Sequence, residues 1–316
     1  MLQQKDNPMK ILYIILISQF LMLAPVGASA DTSILFIGNS FTYGYGSATR
    51  YYRANTVTDL NNEGIGGVPA LFKSFTSQAG LDYDVNIETR GGSSLDFHLE
   101  SKLDVIGRRP WDKVVLQGYS TLDRGRPGNP EKLVNSTAKM AAFLRTINPQ
   151  IKIYLTATWS RADLSYADDS PWKGKPIGAM ARDIRAGYDK AAAGATVGTS
   201  VNAVGEAWTR AMDGGIADPN PYDGLELGKV DLWSYDHYHA SNYGYYLEAL
   251  VVFGNVTGVD PRSLGDNECS GYELGMSRGQ VNALQSVAFD QLASESRVKS
   301  ALPIVLNSSA PERCKK

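Results

Sequence analysis

The chain has 316 residues, of which 43% are hydrophobic and 20% charged, with a formal net charge of −2. That length accommodates one large domain or two small ones, and the apolar share is enough for a real core. The near-neutral balance, with no block of like charge, gives no reason to expect nucleic acid or an acidic membrane surface as a partner.

Lys5 and Lys10 precede a mostly apolar run at residues 11–24, and Ala28-Ser29-Ala30 follows. A basic segment, an apolar segment and a small-residue site in that order read as a secretory signal peptide over residues 1–30, cut after Ala30. The run is short for a spanning helix, and Pro25 and Gly27 end it, which argues against a retained anchor. No second long apolar run appears, so the expectation is a secreted or periplasmic protein without a stable membrane anchor.

Past residue 30 the chain opens on Ile34-Leu35-Phe36-Ile37-Gly38-Asn39-Ser40-Phe41. A continuous apolar run bounded by glycine reads as a buried strand of an α/β sheet. Ligands bind beyond the carboxyl ends of such strands, so Ser40 sits where a nucleophile would be useful. A Tyr/Gly/Ser-rich connection at 42–49 leads to a helix carrying Tyr51, and residues 68–78 read as another helix ended by Gly80. Residues 83–89 form the second strand, and Arg90-Gly91-Gly92-Ser93-Ser94 then turns into a helix over 95–106. The third strand, 111–117, leads into Gln117-Gly118-Tyr119-Ser120 and a polar loop at 123–130. A helix over 131–147 is stopped by Asn148-Pro149, and the fourth strand, 151–157, is followed by Trp159 and Ser160. A long loop at 161–176 contains Trp172. A helix over 177–193, a fifth strand at 196–201 and a helix over 202–212 come next. A second long loop, 213–235, delivers the chain to Asp236, and helices over 242–253 and 278–295 close the pattern. Strands alternating with helices, without a repeat or a Pro/Gly/Ser-rich linker, mean one α/β domain over residues 31–300, with residues 301–316 as a tail.

Cys269 and Cys314 are the only cysteines. In an oxidising compartment they could join and tie the tail to the body. Neither has the spacing of a metal site.

The second chemical signal is Asp236-His237-Tyr238-His239-Ala240-Ser241, which holds two of the chain's three histidines. An acid three residues before a histidine on a turn can reach the ring's Nδ1, leaving Nε2 free to take a proton from a serine. His237 competes for that position, although a neighbour of Asp236 is poorly placed to turn back on it. A capped helix start with a surface histidine is the alternative account of the same residues.

Gly38-Asn39-Ser40-Phe41 near the start, with Asp236-x-x-His239-x-Ser241 near the end, resembles the SGNH (GDSL-type) hydrolase superfamily over roughly residues 33–258. The resemblance implies a three-layer α/β/α, flavodoxin-like fold with a parallel central sheet of about five strands. It implies Ser40 as nucleophile, His239 as base and Asp236 as the orienting acid. It also implies an oxyanion hole from the Ser40 N–H, a glycine N–H and an amide side chain. The glycine maps to Gly92, with Gly91 as the alternative. The family's G-x-N-D block is replaced here by Gln117-Gly118-Tyr119-Ser120, nearer to the Q-G-E form of some carbohydrate-esterase branches. Gln117 therefore takes the place of the asparagine, since a glutamine amide donates the same bond.

The function so implied is a secreted serine ester hydrolase acting on small acyl esters, in particular O-acetyl groups of carbohydrate, with no metal or organic cofactor. A lipid or aryl esterase of the same fold is an alternative, as is a non-catalytic carbohydrate-binding module. Asn39, Tyr119 and Trp159 are candidates for substrate contact, with Trp172, Ser94 and His98 as further polar or aromatic residues near strand ends.

Overall fold

The computed structural model describes residues 1–2, 31–195, 198–266 and 268–299. All but the first two residues of the signal-peptide reading over 1–30, the tail from 301 and any pairing of Cys314 lie outside the described residues. The sheet and the helices packed on it belong to the unit that begins at Asp31.

The elements run in order as β1 Thr32–Gly38, α1 Ser40–Tyr43, β2 Thr58–Asp59, α2 Gly67–Gln78, β3 Tyr83–Thr89, α3 Leu95–Ser101, α4 Leu103–Ile106 and β4 Lys113–Leu116. They continue as α5 Glu131–Ile147, β5 Lys152–Ala157, α6 Ala162–Ser165, α7 Gly178–Gly194, β6 Thr199–Ala203 and α8 Val204–Asp213. The last three are α9 Asn242–Thr257, α10 Cys269–Glu273 and α11 Arg278–Ser294. Six strands form one sheet in the order β2-β3-β1-β4-β5-β6, and every pairing is parallel.

Strand β1 is central, and its side chains alternate between two cores. Ile34 and Phe36 face the core built with α2, α8, α9 and α11, whereas Leu35 and Ile37 face the one built with α3, α5 and α7. A strand buried on both faces must be apolar throughout, which is why this run shows no polar alternation. Helix α9 is likewise buried without a break from Gly244 to Gly254, so it lacks the polar face of a surface helix. The result is the expected three-layer α/β/α architecture.

The register levels the carboxyl ends of the inner strands. Gly38 pairs with Thr89, Ile37 with Leu116, Leu116 with Leu155 and Ala157 with Ala203. From β1 the chain goes to β3 on one side and later to β4 on the other. The crevice at such a reversal is where open α/β sheets bind ligands.

Several boundaries differ from the sequence reading. The sheet gains β2, a two-residue edge strand with no apolar run to announce it. The expected helix over 95–106 is two helices, broken at Lys102, whose backbone (φ −133°, ψ 7°) is not helical. Asn202, expected to open a helix, lies in β6, where its side chain donates to Thr156 Oγ1 at 3.1 Å. Tyr51 ends a short 3-10 turn, Ala48–Tyr51, instead of lying in a helix. Among the described residues no helix is long and apolar enough to cross a membrane.

Candidate active site

Ser40 is the first residue of α1, directly beyond β1. The turn that places it depends on Gly38. A Cβ there would collide with the Thr42 side chain and come within 2.9 Å of Gln117 Oε1. Asn39 caps the short helix, its Oδ1 accepting the Phe41 N–H at 3.1 Å. The Asn39 Nδ2 donates to the Ser93 carbonyl at 2.8 Å and the Gly118 carbonyl at 3.1 Å. One amide thus ties the loops after β3 and β4 to the Ser40 turn.

The hydroxyl of Ser40 and Nε2 of His239 are 2.9 Å apart, across 199 positions of sequence. His239 Nδ1 lies 2.6 Å from Asp236 Oδ2. Asp236 Oδ1 also accepts the backbone N–H groups of His239, at 2.9 Å, and Tyr238, at 3.1 Å. A single carboxylate therefore folds the turn and holds the ring. His237 makes the turn possible by adopting a left-handed backbone, φ 51°. Its own ring packs against Tyr222, with centroids 4.5 Å apart, and its buried Nδ1 has no partner among the described residues. The ring facing both Ser40 and the carboxylate is that of His239.

The carboxylate is an acceptor only, so Nδ1 of His239 carries the hydrogen and Nε2 accepts from Ser40. Burial pushes the His239 pKa down from 6.5, and Asp236 only partly opposes this. The rings of Tyr238, Tyr45 and Phe41, at 4.0, 4.7 and 5.4 Å, supply that dry surround. Burial also pushes the Asp236 pKa up, but the hydrogen bonds from the His239 ring and from two backbone N–H groups outweigh it and hold it below 3.8. The ring is neutral and the acid ionised near neutral pH, as a proton acceptor aimed at a serine requires.

No protein-family model and no curated protein match the chain. Solved structures do share its fold. A DUF4886 family protein from Bacteroides uniformis superposes with a TM-score of 0.57 at 17% identity, over 85% of this chain and 97% of that one. A candidate GDSL-like lipase from Parabacteroides merdae superposes with a TM-score of 0.51 at 18% identity, over 72% of this chain and 96% of that one. The chain has the SGNH hydrolase fold.

In this SGNH fold the two N–H groups proposed for an oxyanion are differently placed. The Ser40 N–H opens α1, where a helix leaves its first donors without intrahelical partners. The Gly92 N–H meets no acceptor among the described residues, and Gly92 is exposed on a left-handed backbone, φ 70°.

Gln117 corrects the expectation of a third donor. Its side chain is buried, Oε1 accepts the Asn39 N–H at 3.0 Å and the Thr42 hydroxyl at 3.2 Å, and Nε2 donates to the Gly118 carbonyl. Those bonds turn the amide inward to fasten the Ser40 turn. Asn39 and Trp159 are corrected in the same way as substrate contacts. Asn39 is 2% exposed and its amide is fully engaged. Trp159 is 0% exposed, stacked between Phe41 at 4.5 Å and Trp208 at 4.4 Å. Trp172 is buried too, its indole N–H donating to Asp183 at 2.8 Å. Tyr119 alone of these reaches a surface, lining a small cleft with Gly92 and Ser94.

Two groups escaped the sequence reading, and a third, around His98, was read without its partners. Tyr45 covers His239, and Arg161 lies 3.6 Å above the Tyr238 ring while its guanidinium binds Asp163. The third is a buried set beneath the loop after β3. His98 Nδ1 contacts Glu88 Oε2, and its Nε2 lies 3.1 Å from the Ser93 hydroxyl. A histidine three residues into a helix that follows Gly-Gly-Ser-Ser was the available signal. Among the described residues no three His, Cys, Asp or Glu side chains converge as metal ligands do.

Proposed function

We propose that the protein is a serine ester hydrolase acting through an acyl-enzyme. The observation that carries this reading is the continuous Ser40–His239–Asp236 chain at the carboxyl end of the central strand. His239 Nε2 takes the Ser40 proton as Oγ attacks the ester carbonyl, and Asp236 stabilises the imidazolium that forms. The Ser40 and Gly92 N–H groups receive the negative oxygen of the tetrahedral intermediate. His239 then protonates the leaving alcohol, and water, activated by the same ring, releases the acid. Both donors are backbone groups, so side-chain substitution does not delete them.

The favoured substrates are small acyl esters, with O-acetyl groups on saccharides as the finer proposal. That part rests on the export signal read at residues 1–30 and on Tyr119, because the burial of Trp159 and Trp172 removes the other two aromatic platforms. Export with cleavage after Ala30 belongs to the same proposal.

The test is hydrolysis of p-nitrophenyl acetate and p-nitrophenyl octanoate by the mature protein and by its Ser40→Ala variant. Turnover that needs Ser40 and favours acetate is expected. Equal rates for the two proteins would remove the serine mechanism, and preference for octanoate would replace the small-acyl reading by a lipid esterase.

A further inference from the structure

Among the described residues Arg50 is a cation without a counter-ion, at the edge of this site. Its guanidinium carbon stands 5.1 Å from the centre of the Tyr43 ring, 5.2 Å from that of Tyr51 and 6.0 Å from that of Tyr45. Its Nε is buried and has no hydrogen-bond partner, and no described carboxylate pairs with it. Arg53, in the next turn of chain, shows what a satisfied arginine looks like here: Glu273 binds its fork at 2.5 and 2.9 Å. Buried polar groups are nearly always partnered, and a desolvated charge without a partner is costly.

The location points to substrate. The Tyr45 ring that neighbours Arg50 is also 4.7 Å from the His239 imidazole. The Tyr245 hydroxyl lies 3.0 Å from the Tyr45 carbonyl and 3.2 Å from the Ser40 carbonyl, so its one proton is shared between them and fixes this aromatic wall to the Ser40 turn. On its other side Arg50 covers Tyr43, whose hydroxyl would lie 2.9 Å from a Cβ built on Gly91. Arg90 precedes that glycine, is exposed, and has no ion pair among the described residues. Both arginines place positive potential on the Tyr43 hydroxyl, against the burial that pushes its pKa up. Glu63 also acts on that hydroxyl but pairs with neither arginine. Arg50 thus stands against the Tyr43 and Tyr45 rings without a counter-ion among the described residues, and Arg90 is the other unpaired arginine that acts on the Tyr43 hydroxyl.

We propose that Arg50 forms an anion subsite on the aromatic wall that covers His239, and that the preferred substrates are esters carrying a carboxylate near the scissile bond. In saccharide form this is an O-acetylated uronic acid. The planar guanidinium matches a carboxylate in two parallel hydrogen bonds, which a lysine does not reproduce. This proposal rests on Ser40 being the ester-hydrolysing nucleophile, and its test keeps the two apart.

The kinetic arm compares 4-acetoxybenzoate with its neutral methyl ester, each rate normalised to uncatalysed hydrolysis. The charged ester should be favoured about tenfold in kcat/KM, through KM, the size of one charge-assisted bond. Added salt should shrink that preference. Arg50→Gln should bring the charged-to-neutral ratio to about one, while Arg50→Lys keeps part of it. A wild-type ratio near one, or a ratio unchanged in Arg50→Gln, overturns the proposal. The binding arm titrates 4-acetoxybenzoate into Ser40→Ala by calorimetry and repeats it with Arg50→Gln added, near-ultraviolet circular dichroism confirming the fold. Heat lost with Arg50 supports the subsite, and absent or unchanged heat overturns it. Binding through Arg50 without wild-type turnover upholds the subsite and overturns the hydrolase reading instead.

Discussion

Ser40, His239 and Asp236 stand at the open end of the sheet, and Ser93, His98 and Glu88 repeat the same functional groups beneath the loop after β3. The first set is partly open, with side-chain exposures of 8% for His239 and 23% for Asp236. In the second, His98 and Glu88 are sealed at 1% and 0%. The deeper difference is what else the serine's hydroxyl meets. Ser93 Oγ lies 2.8 Å from the Arg90 carbonyl, which can only accept and so draws on the one hydroxyl proton. His98 Nε2, 3.1 Å away, competes with that carbonyl for the same proton. In the first set the Ser40 hydroxyl has the Nε2 acceptor of His239 and no competing carbonyl among the described residues. Residue type and proximity do not make a nucleophile. A competing carbonyl at the buried serine, and access from outside at the open one, are what separate the two sets. The buried one fixes the loop that presents Gly92.

The sharpest way to break this contrast is to remove each serine. Ser40→Ala should lower kcat/KM on p-nitrophenyl acetate by roughly 10⁴-fold or more, as loss of a nucleophile does. Ser93→Ala, a loss of loop support only, should stay within about tenfold of wild type. If both lost activity equally, the assignment of roles would fail.

The acids come next. Asp236→Asn should cost about 10³–10⁴-fold in kcat, because an amide no longer enforces the reactive tautomer. Glu88→Gln should chiefly lower the melting temperature, since it leaves a buried imidazole with a mismatched partner at a cost of about 3 kcal/mol. Thermal unfolding beside steady-state kinetics separates the two outcomes.

Gly92 joins the sets. A Cβ there meets nothing within 4 Å, but φ is 70°, so Gly92→Ala is strained by conformation and not by contact. A fall of about tenfold in kcat with KM little changed is expected from a displaced oxyanion donor.

The smallest effect is the pH profile. Because the His239 pKa is lowered, kcat/KM should rise with pH through a midpoint below 6.5 and then level, the Asp236 ionisation lying lower still, below 3.8. A midpoint above 6.5 would mean the base is stabilised as a cation, against the effect of its burial.

Much of this was legible beforehand. The apolar run before Gly38 had to be a doubly buried strand, and Asp236 and His239, three positions apart, fit one turn, so the parallel α/β sheet and the Asp236–His239 contact followed from periodicity and spacing, whereas the roles proposed for Ser40, His239 and Asp236 came from the family resemblance. The use of Gln117 and Trp159 did not follow. A polar or aromatic residue just past a strand can face the ligand or the turn, and the register of neighbouring loops decides which. Asn39 reaching Gly118, and Phe41 stacking on Trp159, are contacts between segments far apart in sequence. The buried Glu88–His98 pair was hidden for a similar reason, because β3 reads as a half-polar strand until the helix above it is in place.

The most direct measurement is active-site labelling with a fluorophosphonate, followed by peptide mapping by mass spectrometry. One adduct on Ser40, with parallel loss of esterase activity and none on Ser93, is the predicted result. An adduct on Ser93, or full inactivation with Ser40 unmodified, would contradict it.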